Sequence, residues 1–157
     1  MKKALSFVLS SFVLSLFLFS TSCTRHAVST RSPEEVVRTF INLSASAKDS
    51  ADKEKIKELC GGKLQNAFER MTDEAFRILY LGNNIKIVDL KIVDSNVENE
   101  SAKVHYQVTV ENNQGTDPTR EQNDREVTLI KGASGWVIDT IQMKGTDQIA
   151  FTRGMIF

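Results

Sequence analysis

Two side chains of the 157-residue sequence have the chemistry of an acid–base pair, Asp139 and His105. Asp139 lies between Ile138 and Ile141 in a strand-like run from Trp136 to Met143, and turned inward its carboxyl would be a raised-pKa general acid. His105, between Lys103 and Gln107, is the base that such an acid would work with, or else a solvated rim residue. Tyr106 follows it, and adjacent strand residues point to opposite faces, so the two share one pocket only across a bulge. Tyr106 has the parity of Val104, Val108 and Val110 and reads as core. Trp136, after a turn glycine, shares its parity with Ile138 and reads as packing rather than ligand stacking. Cys60, beside Ile56 and Leu59, reads as a small buried hydrophobe. As a nucleophile it would need a base, and the candidates are His26 and His105. No His-x-x-x-His or Cys-x-x-Cys spacing occurs, and no Gly-rich phosphate loop, Ser-x-x-Lys or Gly-x-Ser-x-Gly, so neither a metal nor another cofactor is expected.

The 20 Lys and Arg balance the 20 Asp and Glu. Without a basic cluster the chain lacks the electrostatic footprint of nucleic-acid binding. Removing residues 1–22, which hold Lys2, Lys3 and no acid, leaves 18 basic against 20 acidic side chains, a body of net charge −2. Charges are dispersed, and no internal repeat is evident. Lys2 and Lys3 precede an apolar run from Ala4 to Phe19, followed by Ser20, Thr21, Ser22 and Cys23, the charge, core and cleavage order of a secretory signal. With Ser6, Ser10, Ser11 and Ser15 inside it, the run falls short of the roughly 20 apolar residues needed to span a bilayer.

The Thr21-Ser22-Cys23 end resembles the signal peptide of bacterial lipoproteins, in which the Cys is diacylated and becomes the first mature residue. The resemblance implies residues 1–22 as signal peptide, lipidation at Cys23 and a short tether over 23–32. Thr24, where inner-membrane lipoproteins often carry Asp, points to the outer membrane. Ser20 with Ser22 also satisfies the small-x-small rule of ordinary signal peptidase, and simple secretion to the periplasm or beyond is the alternative. Two or three acyl chains, at about 0.8 kcal/mol per buried methylene, would make release from the membrane negligible.

Ser32-Pro33-Glu34-Glu35 is a capping box with Pro at the first helical position. Val36, Val37, Phe40, Ile41, Leu43 and Ala47 recur at helical spacing to about Lys48. Asp49 or Ser50 caps a second helix that ends at Gly61-Gly62, and helical spacing resumes from Leu64 to Met71 and from Ala75 to Leu81. After Gly82 the period becomes two. Ile85 and Ile87 alternate with Lys86, then Val88, Leu90 and Ile92 take the apolar parity, a flip that predicts a β-bulge between 87 and 88. Val104 to Val110, Val127 with Leu129, and Trp136 to Met143 give three more strands, with loops at 112–119 and 133–135. Helices followed by an antiparallel meander predict an α+β fold.

This order, opening Ser-Pro-Glu-Glu-Val-Val and closing Gly-Trp-Val-Ile-Asp-Thr-Ile, resembles the nuclear-transport-factor-2-like, SnoaL-like cone fold, and more narrowly small bacterial envelope lipoproteins that carry it. The resemblance covers 32 to about 144. It implies N-terminal helices packed on a bent antiparallel sheet of four or more strands over 33–144, often enclosing a conical pocket. Residues 145–157 are left as a tail or an edge strand. It also implies two functions: a noncatalytic domain that binds a small apolar ligand, a peptide or an envelope protein, or an isomerase- or dehydratase-type enzyme acting on a small apolar substrate through Asp139 and His105. A cone filled by Phe40, Tyr106 and Val108 would weigh against ligand chemistry of either kind.

Overall fold

Ser32 and Glu35 open the folded body by capping each other. Glu35 N donates to Ser32 Oγ at 3.3 Å, and Ser32 N donates to Glu35 Oε2 at 3.0 Å. Two orphan amides of the first turn are thereby satisfied. The computed structural model describes residues 31–82, 85–113 and 117–157. The expected signal sequence and Cys23 lie outside the described residues.

Helix α1 (Pro33–Ser46) buries Val36, Val37, Phe40 and Ile41 against the sheet. Helix α2 (Ala51–Lys57) contributes Ile56, and α3 (Gly62–Arg70) contributes Leu64 and Phe68. Thr72 caps α4 (Asp73–Phe76), its Oγ1 accepting from Ala75 N, and α4 runs on as a π-helical turn over Arg77–Leu81. That turn brings Tyr80 to Phe76, rings stacked at 4.7 Å, and to Phe68 at 5.6 Å. Burial of each large apolar side chain contributes about 1.5–3 kcal/mol, and this, more than helix propensity, holds such short helices.

The strands β1 (Ile85–Glu98), β2 (Ser101–Asn112), β3 (Thr119–Gly132) and β4 (Gly135–Met143) form one antiparallel sheet in the order β1-β2-β3-β4. The α+β class and the antiparallel meander are as the sequence predicts. Ala102, Val104, Tyr106, Val108 and Val110 of β2, Val127 and Leu129 of β3, and Ile138 and Ile141 of β4 form the helix-covered face. The opposite face carries Lys103, His105, Gln107, Asp124 and Glu126. The register shifts at Val88, as the parity flip predicts, and again at Val93 and at Asp139. Each bulge adds twist and bends its strand.

Four sequence readings need correction. Val88 is the bulged residue and 44% exposed, so it does not join Leu90 and Ile92 as a core position. β3 extends back to Thr119, because the polar stretch Arg120 to Asp124 pairs with Glu111 to Gln107 of β2 even though its first residues lie bare. A tandem repeat, Lys-Ile-Val-Asp at 86–89 and 91–94, is present in β1. Its period of five breaks strand alternation, and each copy places a Val at a bulge. The fourth concerns residues 145–157, which make one bridge, Ile149 to Gln142, and then fold into the body. A helical turn α5 (Arg153–Ile156) lies between buried Ala150 and buried Phe157.

That C-terminal segment is gripped through its main chain. Tyr80 Oη donates to Phe151 O at 3.0 Å and Tyr106 Oη to Ile156 O at 2.6 Å. Arg125 donates to Met155 O at 2.7 Å and to Phe157 O at 2.9 Å. Arg153, itself buried, donates to Tyr80 O and Ala45 O, both at 2.7 Å. Burial lowers the pKa of both guanidiniums, and the carbonyl dipoles help to solvate their charges.

Candidate functional site

The sheet's two turns of chemistry, at His105 and at Asp139, are kept apart by the fold. His105 projects from β2 onto the face away from the helices, where its Nε2 lies 2.8 Å from Asp124 Oδ1. Gln107 Nε2 donates to the same oxygen at 3.1 Å. The His105 bond, then that of Gln107, holds the Asp124 carboxyl below the usual carboxylate range. Direct cross-strand neighbours of His105 are Asp94 on β1 and Glu126 on β3. This is a polar network on the sheet's outer face, in which the His105 side chain is 16% exposed and that of Asp124 37%.

Asp139 is the extra residue of the β4 bulge. The bulge turns it out of the alternation that would have set it between its apolar neighbours and aims it at α3. There Oδ1 accepts from Lys63 N at 2.8 Å. Gly61, the residue before α3, has no side chain to cap the helix, and Asp139 performs that task from another element. Gly62 makes the approach possible: its φ is +46°, and a Cβ there would lie 1.8 Å from Asp139 Oδ1. Leu59, Cys60 and Gly61 are laid along β4 by two further bonds, Gly61 N to Ile138 O at 2.8 Å and Ile138 N to Leu59 O at 2.9 Å. The acid and the base expected to act together therefore cap a helix and decorate a surface.

The other candidates resolve as packing. Tyr106 is fully buried, and burial pushes its phenol up well beyond the ordinary range. Cys60 is buried with Sγ 3.3 Å from Ile56 O, and burial likewise raises its thiol. Phe40, Tyr106 and Val108 are all 0% exposed and fill the interior. No group of three His, Cys, Asp or Glu side chains able to hold a metal occurs among the described residues.

A cleft does exist elsewhere, of about 320 Å³ and half open, between the start of α1, the end of α2 and the β3–β4 turn. Val36, Leu59, Trp136 and Val137 give it apolar walls, and Arg31, Glu58 and Ser134 give it polar ones. Trp136 is only partly buried and carries Lys131 Nζ 4.3 Å from its ring centroid. In sequence Trp136 reads as packing, and nothing there joins it to the other six lining residues, which come from three distant segments. Arg125 was also missed, although an Arg with the parity of Val127 and Leu129 was a visible signal of a buried cation.

No protein-family model matches the chain, and no curated protein matches it. Similar solved structures include a SEC-C motif containing protein from Rhodopseudomonas palustris. It has a TM-score of 0.55 and 13% identity over 71% of this chain and 78% of that one. The intermembrane space region of the chloroplast protein ARC6 has a TM-score of 0.52 and 16% identity over 70% of this chain and 92% of that one. An NTF2-like protein with a cystatin-like fold from Novosphingobium aromaticivorans has a TM-score of 0.47 and 15% identity over 73% and 84% of the two chains. The first two likenesses show a shared fold.

Proposed function

We propose that the chain is an envelope lipoprotein, acylated at Cys23 and sorted to the outer membrane, whose α+β body is a noncatalytic interaction domain. The observation that supports a noncatalytic body is the filled interior: Phe40, Tyr106 and Val108 occupy the space where a cone would hold a substrate, and the chain's own Ile156 and Phe157 pack into the same core. The enzyme reading requires Asp139 and His105 to meet one substrate, and it is disfavoured by their separate hydrogen-bond partners, Lys63 N and Asp124. Anchoring is supported by the Lys2-Lys3, apolar-core, Thr-Ser-Cys order of the first 23 residues. The Trp136 cleft is the surface offered to a partner, because it combines a partly exposed aromatic anchor with a polar rim.

Phase partition of detergent-solubilised cells tests the anchoring half. The wild-type chain is expected in the detergent-rich phase and a Cys23→Ala chain outside it. Equal partition of both into the aqueous phase would contradict the proposal.

A further inference from the structure

The two edges of the sheet are treated differently. β4 is covered by Leu59–Gly61 on the one hand and by Ile149 and Ala150 on the other, the latter through Ala150 N to Ile141 O at 2.7 Å. β1 has only β2 beside it among the described residues. It is also where exposed apolar side chains gather: Val88, Val93 and Val97, at 44%, 43% and 51% exposure, are three of the six exposed large hydrophobics of the described chain. A bare edge strand with exposed apolar side chains is a template for another strand.

The charges along β1 identify which strand. Measured by their partners on β2, Lys86 stands opposite Glu111, Asp89 opposite Thr109, Leu90 opposite Val108, Lys91 opposite Gln107 and Asp94 opposite His105. About Leu90, then, Asp89 and Lys91 lie one ladder position to either side, and Lys86 and Asp94 three positions to either side. The bulges at Val88 and Val93 fall one on each flank. They therefore shorten both arms equally and keep all four charges on the face away from the helices. A two-fold axis through Leu90 carries each Lys onto an Asp: Lys86 meets Asp94 of a second copy, and Asp89 meets Lys91. All four side chains are exposed, and none forms an ion pair with another described residue.

We infer that β1 is the interface of a homodimer, in which the free edges of two copies pair antiparallel about Leu90. Such a contact is isologous, as a closed dimer requires, and the same pattern is mismatched in the parallel direction or in a slipped register. Main-chain bonds supply cohesion between the edges, and the charge pattern fixes direction and register. Arg38 Nη1 reaches the Leu90 carbonyl at 3.4 Å, a bond long enough to give way to a partner's amide. The inference is independent of acylation at Cys23.

Native mass spectrometry of the full chain released from detergent micelles tests it. The wild-type chain is expected as a dimer. K86D/K91D alone and D89K/D94K alone are each expected as monomers, because every cross-strand pair then joins like charges. An equal mixture of the two variants is expected to restore a dimer of one copy of each, which also shows that both variants fold. A monomeric wild-type chain, a dimer that survives in either variant alone, or a mixture that stays monomeric would each overturn the inference.

Discussion

Asp139 shows how a residue with catalytic chemistry can be committed to structure. Its carboxylate meets the first turn of α3 at Lys63 N, where helix amides and the helix dipole favour a negative charge. Removal of such a cap costs about 0.5–2 kcal/mol. Asp139→Ala is therefore expected to lower the thermal midpoint by a few degrees, while Asp139→Asn, which retains an acceptor, has a smaller effect; calorimetry checks both. Gly62→Ala is expected to be worse than Asp139→Ala, since it forces a side chain to φ +46° and into Asp139 Oδ1. The double variant should lose less than the sum, because the atom that the new methyl meets is gone. The sequence put Asp139 in a strand among apolar residues, which was legible. Its orientation was not, because a one-residue bulge reverses which face a side chain takes.

At the scale of elements, α1 was readable to its first residue because its signal is local: the hydroxyl, the proline and the glutamate that close the cap are contiguous. Ser32→Ala is expected to cost about 0.5–2 kcal/mol and Ser29→Ala nothing, compared as midpoint shifts of the same chain; equal effects would put the start of the helix elsewhere. The bulge at Val88 was readable for a related reason, an apolar parity that changes within two residues. The second bulge, at Val93, was hidden because the polar residues Asp94, Ser95 and Asn96 that follow it carry no apolar parity, and only the β2 register shows that Val93 is the unpaired member. Most of the polar half of β3 was silent, because a strand bare on both faces has no hydrophobic period to read. The C-terminal segment was silent for a further reason. It is held by tyrosine hydroxyls and guanidiniums donating to carbonyls, and a main-chain acceptor leaves no mark on residue type.

For the molecule as a whole, the sequence's order of helices and strands was enough for the α+β class, because that class follows from periodicity and turn residues alone. The Trp136 cleft was not legible, since its walls come from Arg31, from Glu58 and Leu59, and from the β3–β4 turn, segments that only the completed fold brings together. Under the proposed function, a filled body with a surface cleft would hold a partner near the membrane, and the anchor would be as much a part of function as the fold. The acyl group on Cys23 is the central claim. Intact mass spectrometry of the chain purified from the membrane fraction tests it most directly. A mature chain is expected whose first residue is Cys23 and whose mass exceeds that of the bare polypeptide by a diacylglyceryl group, with or without a third acyl chain on the amine. A water-soluble mature chain beginning at an unmodified Cys23, or one cut elsewhere, would contradict it.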